Sequence, residues 1–267
     1  MVTFGISLRA RTANSDWRET CELLSATLGS VLRQSDSRFR VIICGRDWPD
    51  IQEMADERIE FLRALVAPPR QTSRFERDKS IKRMIMGLRL RALGGGLFMQ
   101  LDSDDFVHRD LVAFTLADRA GDGVVVTHGY VLDRQRNLIA PVPGVWPVEI
   151  DRVCGSTAII RYEVDDIPSK AVFYSARPFL FMMNRNHTAI RSDAAEIGRT
   201  SVVPFPGVVY VLNTAQNLSF QAMHRSGIWR ETVLKEIRRL AITDRTRLQG
   251  IDSEFGTALA AGPDLAR

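Results

Sequence analysis

The sequence predicts an α/β fold with a mainly parallel central sheet flanked by helices. Apolar runs at residues 2–8, 40–44 and 59–62 have the length of buried strands, and helical or polar segments separate them. Such alternation is typical of βαβ units, which form parallel sheets. A further apolar run at residues 97–101 ends in an acidic cluster. Ligands of open α/β sheets bind outside the carboxyl ends of strands, so a ligand site is expected there.

Two long helices are predicted in the first half of the chain, together with a short one between the strands at 40–44 and 59–62. Apolar residues recur at helical spacing over Trp17–Leu32, and Ser15 or Asp16 is placed to cap that helix. A basic amphipathic helix is predicted over residues 79–93, after a proline- and arginine-rich loop at 67–78. A glycine triplet ends this second helix.

The second half of the chain alternates less regularly. Its predicted helices and strands lie at residues 111–120, 123–130, 153–162, 208–212 and 228–242. No repeat, low-complexity run or linker divides the sequence. We therefore expect one domain over residues 1–250, followed by a flexible tail over residues 251–267.

Composition narrows the classes of function. The 267 residues are 45% hydrophobic and 25% charged, which are ordinary globular values and exclude a fully disordered chain. The net charge of +4 and the pI near 9.2 suit a phosphate-bearing ligand, an anionic membrane surface or nucleic acid. The sequence lacks the interleaved aromatic and basic residues of nucleic-acid recognition motifs, so no nucleic-acid partner is expected.

The cysteines and the lengths of the apolar runs indicate where in the cell the protein is expected. Cys21, Cys44 and Cys154 are too scattered for a disulfide framework or a zinc site, which favours a reduced, cytoplasmic protein. The longest apolar stretches, such as Val208–Leu212, are far shorter than a membrane span. Any contact with a membrane is therefore expected to be peripheral, at its inner face.

The acidic cluster is the most informative segment. Asp102, Asp104 and Asp105 follow a predicted buried strand and repel one another. A hard divalent cation that bridges to phosphate oxygens offsets this repulsion, and Mn²⁺ or Mg²⁺ is expected. The structural alternative is a helix cap, in which Asp104 or Asp105 caps the helix that begins near Leu111.

Four segments, in this order, resemble GT-A glycosyltransferases of family 2, including bacterial rhamnosyl- and galactosyltransferase-like enzymes. Residues 101–105 are similar to the Leu-Asp-x-Asp-Asp motif, and residues 27–34 resemble the early TL-x-S-[IV]-L-x-Q helix. Residues 41–47 lie where these enzymes have a strand that leads to a nucleotide-binding aspartate. Residues 78–83 resemble the basic helix start that precedes their acidic motif.

The resemblance covers residues 2–115 and has two departures. Only Asp47 remains of the usual Asp-Asp-Gly-Ser turn, and the second half lacks a recognisable Glu-Asp pair for the catalytic base. A non-catalytic relative that binds glycans or nucleotides therefore stays an alternative.

The resemblance implies a Rossmann-like GT-A fold, with a nucleotide-binding half over residues 1–115 and an acceptor half over residues 116–250. It implies metal-dependent transfer of a sugar from a nucleoside-diphosphate sugar, with UDP favoured, to a hydroxyl group. The acceptor would be a carbohydrate or a lipid-linked molecule in bacterial surface polysaccharide or glycoconjugate synthesis. Family 2 enzymes usually invert the anomeric centre, which requires a base on the face opposite the leaving group.

The resemblance also assigns residues. Those expected to bind the nucleotide are Arg9, Asp47, Asp78, Lys79, Arg83 and Asp102. Those expected to bind the metal are Asp104, Asp102 and His187. Those expected to wall the sugar and acceptor pocket are Gly155 and Ser156. The candidates for the base are Asp193, Asp166 and Asp165, with His187 as an alternative.

Each assignment has an ordinary structural alternative. Lys79 and Arg83 lie one helical turn apart, which suits a diphosphate at a helix start, but also suits a solvated basic face. Asp47 precedes a proline turn, and Arg9 is equally consistent with a surface ion pair. A lone histidine such as His187 is more often a surface residue than a ligand.

Other classes of enzyme fit the sequence less well. A sugar-nucleotidyltransferase or other metal-dependent phosphotransferase normally has a glycine-rich basic loop after the first strand, and residues 8–13 contain no glycine. A glycoside hydrolase needs two carboxylates that face each other across the sugar. Adjacent aspartates at the end of a strand suit a metal better.

Overall fold

The computed structural model describes most of the chain. It covers residues 1–12, 16–67, 75–118, 121–172, 177–184, 187–214 and 228–260, with the backbone alone at Phe75, His187, Ile228 and Trp229. Within these ranges the chain forms two sheets and the helices that cover them.

A seven-stranded sheet lies at the centre of the described part of the chain. Its strands, in spatial order, are β10 (Thr200–Val202), β6 (Gly123–Val125), β9 (Ala158–Tyr162), β4 (Gly96–Leu101), β1 (Val2–Ser7), β2 (Phe39–Gly45) and β3 (Ile59–Arg63). Strand β9 is antiparallel to its neighbours β4 and β6, and the other pairs are parallel. The strands other than β9 therefore end at one edge, which we term the carboxyl edge. The opposite edge is the amino edge.

A second sheet shares a hydrophobic cluster with the first. Across the described residues its strands, in spatial order, are β5 (Phe106–Val107), β11 (Val208–Leu212), β7 (Gly129–Asp133) and β8 (Leu138–Val142). Because β5 directly follows the acidic cluster and pairs with β11, this sheet holds residues of the second half beside that cluster.

Helices cover both faces of the central sheet. Those of the described residues are α1 (Trp17–Leu32), α2 (Phe75–Ala92), α3 (Leu111–Ala117), α4 (Pro178–Asn184), α5 (Ile190–Ile197), α6 (Ile228–Leu240) and α7 (Arg245–Phe255). In β2, Val41 and Ile43 pack in the cluster that contains α1, whereas Ile42 and Cys44 pack in the cluster that contains α2. Burial on both faces explains why the strand is continuously apolar. Nowhere in the described ranges is a helix both long and apolar enough to cross a membrane.

The topology confirms the predicted fold class, an α/β fold with a mainly parallel central sheet flanked by helices. The first half agrees most closely, and α1 has the predicted bounds. Its N-cap is Asp16, whose side chain accepts a hydrogen bond from the Glu19 N–H at 3.0 Å. The alternative cap, Ser15, lies outside the described residues.

Several predicted boundaries are wrong, and one of them is the start of the strand predicted over residues 153–162, which begins at Ala158. Helix α2 begins at Phe75, so residues 75–78 are helical and not part of a loop. The strand predicted over residues 123–130 is two strands in different sheets, β6 and β7. The domain does not end at residue 250, because α7 continues to Phe255 and buries that side chain. The last residues of the predicted flexible tail, 261–267, lie outside the described part.

Candidate active site

The acidic segment, residues 102–105, directly follows β4 at the carboxyl edge. Its turn is closed by the Asp105 N–H, which donates to the Asp102 carbonyl at 3.3 Å. Strand β5 then separates Asp104 and Asp105 from α3, whose N-cap residue is Asp110. The helix-cap alternative for these two aspartates is therefore wrong.

Asp105 anchors the acidic segment to distant parts of the chain. Its fully buried carboxylate accepts hydrogen bonds from Ser156 Oγ at 2.7 Å, Cys154 Sγ at 3.3 Å and the Val211 N–H at 3.1 Å. Ser156 Oγ in turn accepts a hydrogen bond from the Asp102 N–H at 3.0 Å. Burial, and then the charge of Asp102, raise the pKa of Asp105 to about 7. These contacts fix the main chain on which Asp102 and Asp104 lie.

Asp104 lies beside the other two carboxylates of the acidic segment. Its side chain is buried, and Thr214 Oγ1 lies 3.4 Å from Asp104 Oδ2, at the long end of hydrogen bonding. Burial, followed by the charges of Asp105 and Asp102, raises the pKa of Asp104 well above its ordinary value, and Lys79 opposes this only in part. Burial and the neighbouring carboxylates therefore disfavour the charged form of Asp104.

Among the three carboxylates of the acidic segment, Asp102 is the one nearest to a positively charged side chain. Lys79 Nζ donates to Asp102 Oδ1 at 2.6 Å. Burial opposes ionisation, but the charge and hydrogen bond of Lys79, with the charge of Arg83, hold the pKa of Asp102 below its ordinary value. A Cβ atom at Gly155 would lie 3.8 Å from Asp102 Oδ2, so the Gly155 backbone borders this carboxylate.

The predicted pair of cations at a helix start is wrong in its geometry. Because α2 begins at Phe75, Lys79 and Arg83 lie inside the helix rather than at its N-terminus. Arg83 is buried and its Nη1 donates to the Met183 carbonyl, while burial lowers its pKa. Lys79 is partly exposed beside Asp102. The two residues therefore have different surroundings, and Arg83 acts on the site as a fixed charge.

Two of the predicted nucleotide residues follow neighbouring strands. Arg9 comes after β1, and Asp47 comes after β2. Asp47 Oδ2 accepts a hydrogen bond from the Arg11 N–H at 2.8 Å, which joins the two loops. Both residues thus lie at the carboxyl edge, and their contact with a nucleotide stays a prediction.

Asp78 is connected to the carboxyl edge by the buried side chain of Lys82. It forms an ion pair with Lys82, and Lys82 Nζ also donates to the Leu8 carbonyl at 2.8 Å, just after β1. Lys82 is 2% exposed, so its charge is compensated inside the protein. Asp78 therefore holds α2 against the end of β1, and its predicted role at the base or ribose stays open.

Asp193 lies in the first turn of α5, with its side chain buried. The same turn of that helix contains Arg191, which forms ion pairs with Glu149 and Asp151. Next to them, the Ile150 N–H donates to the Thr127 carbonyl at 3.1 Å, just beyond the carboxyl end of β6. The start of α5 therefore lies at the carboxyl edge.

Asp165 and Asp166, the other two candidates for the base, lie at the amino edge. They follow β9, whose last residue, Tyr162, pairs with Gly96 at the start of β4. Asp165 is 95% exposed, and Asp166 Oδ2 accepts a hydrogen bond from the Glu163 N–H at 2.7 Å in a capping box. Both residues are separated from Asp102 by the length of β4. Their assignment as the base is wrong because β9 runs antiparallel.

The remaining predicted residues of the site are Ser156 and His187. Ser156 is fully buried between Asp102 and Asp105, where it supports the acidic segment. Its predicted place in the wall of the pocket stays a prediction. The backbone of His187 begins a turn that ends at Ala189, and Arg152 Nη1 donates to the Thr188 carbonyl there. The side chain of His187 lies outside the described residues, so its metal role stays a prediction.

Several residues of this region were missed. Cys154 and Val211 contact Asp105, and Thr214 lies beside Asp104. Thr214 follows the apolar run of β11 as Asp102 follows that of β4, so strand-end position was a usable signal for it. The contacts of Cys154 and Val211 depend on pairing between distant segments and leave no local pattern.

The donor set fits a divalent cation that the substrate completes. Over the described ranges, no three or more His, Cys, Asp or Glu side chains are arranged to hold a metal ion. Asp102 and Asp104 are nevertheless two neighbouring carboxylates on a fixed main chain, and their mutual repulsion contributes to the raised pKa of Asp104. Mg²⁺ is commonly bound by one or two carboxylates together with substrate phosphates, which matches this arrangement.

Comparisons with known proteins show only a distant structural similarity. No family model matches this chain, and no curated protein matches it. Among solved structures, the chain is similar to the crystal structure of S. aureus TarS, with 11% sequence identity and a TM-score of 0.46. The match covers 85% of this chain and 39% of that chain. At this level of similarity, the function has to be argued from the site itself.

Proposed function

We propose that this protein is a metal-dependent glycosyltransferase that moves a sugar from a nucleoside-diphosphate sugar, with UDP favoured, to a hydroxyl group. The acceptor is a carbohydrate or a lipid-linked molecule. The observation on which the proposal depends is Asp104, a buried carboxylate at the carboxyl edge with two further carboxylates beside it. Such crowding of like charge costs stability unless a cation and a ligand are bound, so it is typical of a functional site.

The nucleotide is placed between the ends of β1 and β2. Arg9 and Asp47 follow these two strands, the Arg11 N–H donates to Asp47, and Lys82 connects Asp78 to the Leu8 carbonyl. Carboxylates there suit hydroxyl and N–H donors of a ribose or base. The diphosphate then extends toward Asp102 and Lys79, at the end of the adjacent strand β4.

Asp102 and Asp104 would hold the metal, which when bound stabilises the negative charge that grows on the leaving diphosphate. The chain fixes these carboxylates before the substrate arrives. Ser156 holds the Asp102 main chain, and Asp105 holds Ser156, Cys154 and β11. Such preorganisation matters because side chains that need not rearrange cost nothing at the moment of reaction.

Asp193 is the base that we assign to the reaction. The acceptor oxygen forms a bond to the anomeric carbon, the bond from that carbon to the diphosphate oxygen breaks, and the diphosphate leaves with the electron pair. The acceptor proton passes to the Asp193 carboxylate. Inversion requires this base to lie on the face of the sugar opposite the leaving group.

Calorimetry with a panel of nucleoside diphosphates, each with Mn²⁺ and with a chelator, tests the proposal. We expect at least one, with UDP the first candidate, to bind only when Mn²⁺ is present, and its sugar derivatives to be hydrolysed or transferred. Asp104→Asn should lose this binding, whereas Asp165→Asn, at the amino edge, should retain it. Binding that is equal with and without metal for every nucleotide, or absent throughout, would overturn the proposal. Release of pyrophosphate from a nucleoside triphosphate and a sugar phosphate would favour a nucleotidyltransferase instead.

A further inference from the structure

Lys79 is paired with one of the two carboxylates that the proposed metal would use. Its Nζ lies 2.6 Å from Asp102 Oδ1, and the two side chains are 27% and 29% exposed. The ion pair is therefore partly open to solvent, and exchange of either partner does not require the core to open. An ammonium group on a flexible four-carbon chain is suited to such a change of partner.

The neighbouring cations of α2 are held differently. Lys82 is enclosed between Asp78 and the Leu8 carbonyl, and Arg83 is buried against the Met183 carbonyl. These contacts tie each of them to a fixed part of the fold. Lys79 is the cation whose described partner belongs to the acidic segment itself.

A divalent cation and Lys79 would compete for the same carboxylate. An ammonium group at hydrogen-bond distance from Asp102 repels a second cation that approaches the same oxygens, because like charges a few ångströms apart interact strongly in a partly buried site. When a diphosphate accompanies the metal, its anionic oxygens offer Lys79 a replacement partner. Free metal has no such partner to offer.

We propose that Lys79 is a placeholder counterion, which occupies Asp102 in the free protein and moves to the diphosphate when metal and diphosphate bind together. This inference rests on the proposed function, and it adds a prediction about how metal and diphosphate affect each other's binding. Metal alone binds weakly because it has to displace Lys79, and metal and diphosphate each strengthen the binding of the other. That coupling is reciprocal, as linkage requires.

The test measures Mn²⁺ binding by calorimetry or electron paramagnetic resonance, with and without inorganic pyrophosphate. Pyrophosphate avoids any dependence on the nucleotide base. Lys79→Gln should bind Mn²⁺ alone about tenfold more tightly than the unmodified protein, a typical size for coupling between two ligands. The same variant should bind pyrophosphate in saturating Mn²⁺ about tenfold more weakly, because a charged hydrogen bond is lost.

Two further variants serve as controls. Lys79→Arg retains the positive charge and should keep weak binding of Mn²⁺ alone. Lys170→Gln removes an exposed charge that follows β9 and its turn, and should leave both affinities unchanged. Thermal melting establishes that each variant is folded.

The outcomes separate this inference from the proposed function. Opposite changes in Lys79→Gln, tighter for metal and weaker for pyrophosphate, support the placeholder role. If the unmodified protein binds Mn²⁺ with pyrophosphate but Lys79→Gln binds Mn²⁺ alone no more tightly, the inference is wrong and the proposed function stands. If neither protein binds Mn²⁺ under any condition, both are wrong.

Discussion

Two acidic segments each follow a strand of the central sheet, and they have opposite surroundings. Residues 102–105 follow β4 at the carboxyl edge, where Asp104 and Asp105 are buried and burial raises the pKa of both. Residues 163–166 follow β9, where Asp165 is exposed and Asp166 is used in a capping box. Because β9 is antiparallel to β4, the second segment lies at the amino edge.

The comparison shows that acidity at a strand end does not by itself identify a site. Carboxylates that cap a turn are satisfied by the chain and remain in solvent, as at Asp166. Carboxylates crowded together under burial repel one another, and burial with the charges of Asp105 and Asp102 raises the pKa of Asp104. The second arrangement is the one that binding of an external cation would relieve.

The largest expected effect concerns the proposed base. Asp193→Asn should lower the turnover number by about 10²–10⁴-fold, the usual contribution of general base catalysis, and leave nucleoside diphosphate binding intact. Asp165→Asn should leave both unchanged, because it lies at the other edge. Steady-state kinetics with calorimetry of the nucleoside diphosphate distinguishes these results. An Asp193→Asn enzyme with normal turnover would show that the base lies elsewhere.

The next effect concerns the acidic segment itself. Asp104→Asn should lower metal-dependent turnover by about 10²–10³-fold, the scale for removal of one group that stabilises the transition state. Asp166→Asn is the matched substitution at the amino edge and should retain full turnover. The comparison is made at saturating Mn²⁺ with a single nucleotide sugar. Equal losses in the two variants would refute the distinction between the segments.

These expectations rest on a fold that was partly predictable from the sequence. The strands and helices of the first half are separated by clear changes of period, which is why α1 and the position of Asp102 after β4 were predicted correctly. The elements of the second half were predicted less well, because its strands are short and the chain passes from one sheet to the other. Residues 126–128 join β6 of the central sheet to β7 of the smaller one, and this stretch contains no glycine or proline that would indicate a break.

The site was predictable in position but not in its internal contacts. Nothing near Asp105 in the sequence indicates that it is an anchor, since its partners Ser156, Cys154 and Val211 lie 51, 49 and 106 residues away. Likewise, local sequence places Asp165 and Asp166 after a strand but does not state the direction of that strand. Direction depends on which neighbours β9 pairs with, which is a property of the whole sheet.

A smaller effect is expected for the support of the acidic segment. Ser156→Ala removes the hydroxyl that links the Asp102 N–H to Asp105, so the metal carboxylates should lose part of their orientation. Loss of such supporting contacts typically lowers metal affinity by about 10–100-fold. The Mn²⁺ concentration for half-maximal activity should rise, whereas Ser169→Ala, at an exposed serine, should not change it. A lower melting temperature without any change in Mn²⁺ dependence would show that Ser156 is merely structural.

The smallest effects are on stability, and they should have opposite signs at the two segments. In metal-free protein with a chelator, Asp104→Asn relieves repulsion and should raise the melting temperature. Asp166→Ala removes a capping side chain and should lower it. Each change is expected to be about 1 kcal/mol, or roughly 2–4 °C for a protein of this size.

The dependence of stability on pH distinguishes relief of repulsion at Asp104 from loss of the cap at Asp166. The folded-state pKa of Asp104 is raised above its unfolded value, so its charged form costs stability at alkaline pH, and this cost disappears as the pH falls and the carboxyl takes up a proton. The advantage of Asp104→Asn over the unmodified protein should therefore be largest near pH 8 and shrink toward pH 5. Thermal melts of the three proteins across this range provide the measurement. An Asp104→Asn variant that is less stable than the unmodified protein at pH 8 would mean that the chain already compensates this carboxylate, and the case for a cation at Asp104 would fail.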